Sequence, residues 1–126
     1  MDSLDFVCIN LEDPVKEYTG KEIETWPYWE DDIAVTKPYY FGWKNAMRVG
    51  LYKDNKLIEV GRVASGLTDE MREDMANNPN KYIGQVVEIE CMSIDKKEGT
   101  FRHPVFKTVR YDKNPKECIW KEIFND

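Results

Sequence analysis

The chain has 126 residues with a formal net charge of -6, and 41% of them are hydrophobic, 13% aromatic and 33% charged. These values predict one folded domain with a hydrophobic core and exclude a disordered chain. No apolar run approaches the roughly 20 residues that span a bilayer, and the acidic N-terminus excludes a secretory signal, so we expect a cytoplasmic protein without a membrane partner.

The first part of the chain, residues 1–37, is predicted to be an irregular acidic arm. Residues 1–32 hold ten acidic side chains against two lysines, a net charge of -8, and the remainder holds 14 acidic and 16 basic side chains, a net charge of +2. The segment LDFVCINL could form a short strand, and Trp26, Tyr28 and Trp29 surround Pro27. Such charge asymmetry indicates a face for nucleic acid or for another charged ligand.

Residues 38–126 are predicted to form a mainly β domain that begins with a hairpin. The segment YYFGWKNAMRVGLYK alternates loosely and ends at the polar turn KDNK, and LIEVGRVASG follows as the second strand. Gly61 in the middle of that strand indicates a bulge or a bend. A short helix is predicted next, capped by Thr68 and ending near Asn77 and Asn78, just before a proline.

Two further strands are predicted after this helix. The segment GQVVEIECMSID alternates, with Val87, Ile89 and Cys91 on one face, and TFRHPVFKTVRYD follows the turn KKEG. This order of elements suits a small five-stranded Greek-key barrel with the helix between its middle strands. An open β-sheet with one helix is the alternative.

The three cysteines, Cys8, Cys91 and Cys118, are odd in number and widely spaced. Together with the single histidine, His103, they predict no metal site, and free thiols in a reducing cytosol are the simpler interpretation. A catalytic Cys–His pair would need His103 beside one of them, whereas His103 precedes a proline within a basic strand. We therefore predict no catalytic residue in this chain.

The stretch TFRHPVFKTVRYDKNP, residues 100–115, concentrates four cationic side chains and a histidine in a chain that is acidic overall. As an isolated pattern it predicts an exposed basic strand whose charges keep a sheet edge soluble. The same cations could hold a polyphosphate, because arginine offers a planar fork for phosphate oxygens and lysine offers a compact charge.

Three segments in continuous order resemble the C-terminal OB-fold domain of ATP-dependent DNA ligases. GWKNAMRVGLY is similar to the opening strand of that domain, and VGRVASGLTDEM is similar to the family segment that places Gly66, Thr68, Asp69 and Glu70. FRHPVFKTVRYDKNP resembles the terminal ligase motif. Its matching residues are Arg102, Pro104, Phe106, Arg110, Asp112, Lys113 and Pro115. The resemblance covers residues 38–120 and implies a five-stranded OB-fold barrel with one short α-helix.

The resemblance also implies a phosphate-binding role for the terminal motif. Arg110 and Lys113 would contact the β and γ phosphates of ATP, and Asp112 would orient these cations. Arg102 and Lys107 would contact the DNA backbone. In ligases this strand closes over the nucleotide during adenylylation of the enzyme and then swings away, so that the barrel can grip the duplex.

Cations on the first strands of the domain are further candidates for DNA binding. Lys44, Arg48 and Arg62 could line a face that follows the phosphates, although solvated strand positions explain them equally well. Trp43 could be a stacking platform for a base, but a place in the core is the simpler interpretation.

The sequence lacks the K-x-D-G motif on whose lysine a ligase becomes adenylylated, and it lacks the rest of a nucleotidyltransferase domain. The nearest imitation, Lys96-Lys97-Glu98-Gly99, lies in a predicted turn. The chain alone is therefore predicted to be no enzyme and to bind no cofactor. ATP and Mg²⁺ would bind only when a nucleotidyltransferase domain is present.

Two classes of function stay open at this stage. The first is a stand-alone or excised ligase-like module that binds nicked or duplex DNA and completes a nucleotidyltransferase in trans. The second is an acidic inhibitor or adaptor of phage type, which binds a nucleic-acid-processing protein such as a host defence nuclease through Trp26, Tyr28 and Trp29. The net charge favours the second function, and the segregation of that charge keeps the first open.

Overall fold

The computed structural model describes residues 2–124, in which a five-stranded antiparallel sheet dominates. Its strands are β1 (Asp2–Glu12), β4 (Ala46–Lys53), β5 (Lys56–Val63), β6 (Val86–Cys91) and β9 (Val105–Arg110). They lie in the order β5-β4-β1-β6-β9, which confirms the predicted mainly β fold. Residues 1, 125 and 126, which the predicted ranges 1–37 and 38–126 include, lie outside the described residues.

Two small sheets and three α-helices accompany the main sheet in the described part of the chain. The small sheets pair β2 (Trp29–Glu30) with β3 (Ile33–Ala34), and β7 (Ser93–Asp95) with β8 (Thr100–Arg102). The helices are α1 (Lys37–Phe41), α2 (Asp69–Asn77) and α3 (Trp120–Ile123), and short 3-10 turns cover Ile23–Thr25, Pro79–Lys81 and Pro115–Glu117. None of these helices is long and apolar enough to cross a bilayer.

The N-terminal segment differs from the predicted irregular arm in its first twelve residues. Strand β1 lies at the centre of the main sheet and pairs with both β4 and β6. The run LDFVCINL is almost continuously apolar, and Phe6, Val7 and Cys8 are all buried. Such a run is typical of a strand covered on both faces, because neither face has to meet water. The irregular arm is therefore confined to residues 13–36.

The core is built from the apolar residues that alternate along the central strands. Val87, Ile89 and Cys91 of β6 are buried, as their predicted common face requires. Helix α2 contributes Met75, and β9 contributes Phe106. Each such side chain stabilises the fold by about 1.5–3 kcal/mol through the apolar surface that it removes from water.

Helix α2 forms where the sequence predicts it. The Thr68 side chain accepts a hydrogen bond from the Met71 amide at 3.2 Å, and the helix ends at Asn77 with Asn78 as its C-cap. Arg72 then ties the helix to the preceding loop, because its guanidinium donates to the carbonyls of Leu67 and Ala64 at 2.6 and 3.2 Å. The predicted capping and helix end are both confirmed.

The two edges of the main sheet approach each other without closing it. An isolated parallel bridge joins Ser65, just after β5, to Val105 at the start of β9, and the Phe106 amide donates to the Ser65 carbonyl at 2.8 Å. Gly66 makes this approach possible: its φ is 87°, and a Cβ there would lie 2.5 Å from the Phe106 carbonyl oxygen. The sheet is therefore barrel-like but open.

The predicted strand over residues 100–112 is divided in the structure. Strand β8 ends at Arg102 and β9 begins at Val105, because His103 has a left-handed φ of 51° and Pro104 has no amide hydrogen to donate. Strand β8 turns back to pair with β7, so the basic stretch serves two separate sheets.

Candidate nucleic-acid interface

The three residues predicted to bind phosphate come together at the end of β9. Arg110 Nη1 and Lys113 Nζ both contact Oδ2 of Asp5, at 3.0 and 2.8 Å. The second guanidinium nitrogen of Arg110 contacts Oδ2 of Asp112 at 3.2 Å. The structure thus adds Asp5, a residue of β1, to the predicted cluster of Arg110, Asp112 and Lys113.

Sheet pairing explains why Asp5 meets these cations. Strand β6 pairs with β1 on one side and with β9 on the other, so Arg110 and Lys113 reach across a single strand to the carboxylate. The Asp5 side chain is only 14% exposed. A nearly buried carboxylate requires charged partners, because the free energy of leaving it unpaired away from water is high.

Hydrogen bonds within the cluster favour the charged forms of Arg110, Asp112 and Lys113. The hydrogen bond from Lys113 to Asp5 raises the pKa of the lysine, and the hydrogen bond from Arg110 to Asp112 raises the pKa of the arginine. The same Arg110 bond lowers the pKa of the Asp112 carboxyl. The cluster therefore combines two cations with two carboxylates, and its formal charge is zero.

The arrangement can still bind an anionic oxygen. Two cations that converge on one carboxylate oxygen have the geometry with which cations hold a phosphate oxygen. An arginine has five N–H donors and a lysine has three, and the ion pairs of the described residues use two donors of Arg110 and one of Lys113. Both residues thus keep donors for a ligand.

Arg48 and Arg62, predicted to contact DNA from the main sheet, are paired with carboxylates. Glu12 at the end of β1 contacts Arg48 at 3.3 Å and Arg62 at 3.0 Å, and Glu59 contacts Arg48 at 2.8 Å. All these side chains are at least a quarter exposed, so water screens the pairs. The electrostatic fields of these arginines and of their carboxylate partners nevertheless partly cancel at an approaching phosphate.

Two more predicted DNA-binding lysines have acidic neighbours. Lys44 Nζ contacts Asp13 at 2.6 Å, and Lys107 Nζ contacts Glu90 at 3.5 Å. Trp43, near Lys44, is half-buried and stacks on Phe41 with ring centroids 4.7 Å apart. One face of this tryptophan is thus covered by another ring.

Arg102 lies in a different environment from the other predicted cations. It is exposed at the end of β8 and lines an open cavity of about 520 Å³ together with Lys96 and Lys97 of the β7–β8 turn. The sequence predicts these two lysines only as turn residues. The signal that could have identified them is their place in a hairpin whose second strand begins the terminal motif.

The aromatic residues predicted for protein binding form part of a chain of ring contacts. Trp26 stacks on Tyr18 with ring centroids 3.6 Å apart and contacts Tyr28 edge-on. Tyr28 in turn contacts Phe41 of α1. The indole of Trp26 donates to the Val35 carbonyl at 2.6 Å. Trp29 is 40% exposed, and its indole donates to the Trp26 carbonyl. The arm is therefore irregular but well fixed.

The cysteines are structural thiols in this fold. Cys8, Cys91 and Cys118 form no disulfide, and all three are buried. Burial raises the pKa of Cys8 to about 12 and of Cys118 to about 11. A thiol with such a pKa forms little thiolate at neutral pH and is a poor nucleophile. Within residues 2–124 no group of three or more potential ligand side chains could hold a metal ion.

Solved structures with a similar fold include the following two. The structure named Pmar-Lig_PreS3 superposes with a TM-score of 0.52 and 20% identity, over 86% of this chain and 21% of that one. The Chlorella virus DNA ligase-adenylate matches with a TM-score of 0.49 and 17% identity, over 90% of this chain and 32% of that one. These neighbours are DNA ligases. At these identities the likeness is one of fold, and the chain spans no more than a third of their length.

The sequence matches no protein-family model, and no curated protein matches it.

Proposed function

We propose that the chain is a DNA ligase-like OB-fold module that binds the backbone of duplex or nicked DNA. Three features of the fold support an OB-fold: the strand order β5-β4-β1-β6-β9, the helix α2 between β5 and β6, and the parallel bridge between Ser65 and Val105. A five-stranded, partly open Greek-key barrel is the architecture of that fold.

The observation that carries the proposal is the convergence of Arg110 and Lys113 on one oxygen of Asp5. Two cations from the end of one strand hold a single oxyanion, and a phosphate oxygen has the same requirement. The residues present thus fit a phosphate. With a nucleotidyltransferase domain in trans, Arg110 and Lys113 would hold the β and γ phosphates of ATP, and Asp112 would orient Arg110.

Mg²⁺ and the adenylylated lysine would belong to that second domain, and Mg²⁺ would supply charge neutralisation on the phosphates when bound. The chain alone would be a binding module without catalytic activity. The cluster of Arg110, Asp112 and Lys113 would orient the pyrophosphate and stabilise its charge.

The test is binding of the full chain to a short nicked duplex, measured by fluorescence anisotropy over a series of salt concentrations. We expect affinity that falls steeply with salt, since phosphate contacts release counterions. Arg110→Ala with Lys113→Ala should weaken binding to DNA or to ATP. The proposal is wrong if the wild-type chain binds neither ligand at low salt.

A second candidate function is supported by the surface of the arm. Of the eleven exposed large hydrophobic side chains among the described residues, six lie between residues 15 and 41, in the arm and in α1, which is a concentration typical of protein interfaces. In this function the chain would bind a nucleic-acid-processing protein, such as a defence nuclease, through Trp29 and its neighbours. Trp29→Ala with Tyr40→Ala should then relieve inhibition of such a nuclease, while DNA binding by the chain stays unchanged.

A further inference from the structure

The hairpin β7–β8 holds three cations, Lys96, Lys97 and Arg102, beside two acidic residues, Asp95 and Glu98. Lys96, Lys97 and Arg102 are exposed, and none of the three forms an ion pair with a carboxylate of residues 2–124. All three line the same open cavity of about 520 Å³, which Asp95 also lines, so its lining carries three positive charges against one negative charge. Their fields therefore act together on an anion that approaches this surface.

The hairpin is held rigidly against the main sheet. Phe101 of β8 contacts Phe6 of β1 with ring centroids 5.3 Å apart, and Ile94 of β7 packs against the same core. Gly61 of β5 provides the space, because a Cβ at this position would lie 2.7 Å from the Phe101 ring. The cations thus project from a fixed element, and binding would not require ordering of a loop.

The turn of the hairpin has its own internal hydrogen bonds. Asp95 Oδ1 accepts from the amides of Lys97 and Glu98 at 3.1 and 3.0 Å, so this carboxylate caps the turn. Gly99 closes the turn with a φ of 72°, and the Trp120 ring lies where its Cβ would be. The backbone of the two lysines is thereby fixed, and Glu98 is the other acidic residue of the turn.

Arg48 and Arg62 of the sheet differ from the hairpin cations because carboxylates already pair with them. Glu12 and Glu59 already occupy Arg48 and Arg62, and a phosphate would have to displace these carboxylates. The hairpin cations have no such competitor among the described residues. We therefore expect a phosphate to gain more binding energy at the hairpin than at Arg48 and Arg62 of the sheet.

We propose that Lys96, Lys97 and Arg102 form the principal contact with the phosphates of duplex DNA, and that Arg48 and Arg62 of the sheet contribute little. This inference rests on the proposed function, since it assigns the DNA contact of the same module. It also places the contact on the hairpin rather than on the sheet face formed by β4 and β5.

The experiment is the same salt titration on the nicked duplex, with variants of the full chain. Each phosphate neutralised on B-DNA contributes about -0.9 to the slope of log K against log salt. Lys96→Ala with Lys97→Ala should therefore make the slope less steep by about 1.8 and lower affinity at low salt by roughly tenfold or more. Both lysines are exposed, so the fold should be retained, which circular dichroism and thermal melting would verify.

The matched control is Lys21→Ala with Lys56→Ala, which removes the same charge at two other exposed positions. We expect its salt slope to equal that of the wild type. Glu98→Gln should have the opposite effect and increase DNA affinity, because it removes a carboxylate from the hairpin itself.

The outcomes separate this proposal from the proposed function. A wild type that binds with a steep salt dependence, together with an unchanged hairpin variant, would overturn the hairpin contact and leave the DNA-binding module intact. Equal losses in the hairpin and control variants would assign the effect to net charge and would also overturn it. A wild type without affinity for DNA would remove both proposals together.

Discussion

The cations of the main sheet and those of the β7–β8 hairpin have the same chemistry and differ in their partners. Arg48, Arg62 and Arg110 contact carboxylates of β1, whereas Lys96 and Lys97 have no such partner among the described residues. A count of basic residues therefore does not locate an anion-binding surface. What matters is whether the fold has already given each cation a counter-charge.

The largest expected effect comes from removing the cations around Asp5. Arg110→Ala with Lys113→Ala leaves a carboxylate that is only 14% exposed without its partners. We expect a loss of about 2–3 kcal/mol in the free energy of unfolding, measured by urea denaturation. Adding Asp5→Asn to this double variant should restore much of the loss, and a triple variant as unstable as the double would contradict the role of the ion pairs.

The next variant truncates the side chain that fixes the hairpin to the sheet. Phe101→Ala removes the ring that packs on Phe6 and Gly61, and we expect a loss of about 2 kcal/mol because Phe101 is partly buried. DNA affinity should fall too, since the cations would project from a looser element. The measurements are urea denaturation and anisotropy, and an unchanged affinity would show that rigidity of the hairpin is unnecessary.

A single substitution should convert paired sheet cations into available ones. Asp5→Asn removes the carboxylate shared by Arg110 and Lys113, and we expect the affinity for nicked DNA to rise by about three- to tenfold at low salt. The measurement is fluorescence anisotropy. A fall in affinity would instead mean that Asp5 positions the two cations for phosphate.

Glu12→Gln repeats that test at a more exposed place. It removes the carboxylate shared by Arg48 and Arg62. The side chains of all three residues are at least a quarter exposed. The free energy of unfolding should change by less than about 1 kcal/mol, and DNA affinity should rise by only a few fold. If DNA affinity rises more in Glu12→Gln than in Asp5→Asn, Glu12 limits DNA binding more strongly than Asp5 does, which would contradict this prediction.

The smallest effect concerns a carboxylate outside both groups of cations. Hydrogen bonds from Tyr82 first, and then from Asn78 and Lys81, lower the pKa of Asp74 from 3.8 to about 2. Its folded-state pKa is thus below the unfolded value, so its stabilisation is present above pH 4 and is lost as the pH falls to about 2. Asp74→Asn should lose less stability than the wild type over this interval in acid denaturation. Equal losses would exclude Asp74 as a source of the acid sensitivity.

Local sequence signals predicted much of the fold. The hairpin of β4 and β5, the Thr68 cap, the end of α2 and the buried face of β6 all depend on neighbouring residues, and all are confirmed. The central position of β1 was missed, because the pairing of an N-terminal strand with two distant strands leaves no local trace. The division at His103 was also missed, although Pro104 is a local signal for it because proline has no amide hydrogen to donate. The left-handed φ of His103 is visible only in the structure.

The mainly β fold, the helix and its cap, and the motif that contains Arg110, Asp112 and Lys113 can be read from the amino-acid sequence, because they depend on residues close in the chain. Which cations have carboxylate partners depends on the tertiary structure. Asp5 contacts Lys113 at 2.8 Å across 108 residues of chain, and Glu12 contacts Arg62 at 3.0 Å across 50 residues. Such pairs arise from the order and register of strands, and the charge of an isolated residue does not contain that information.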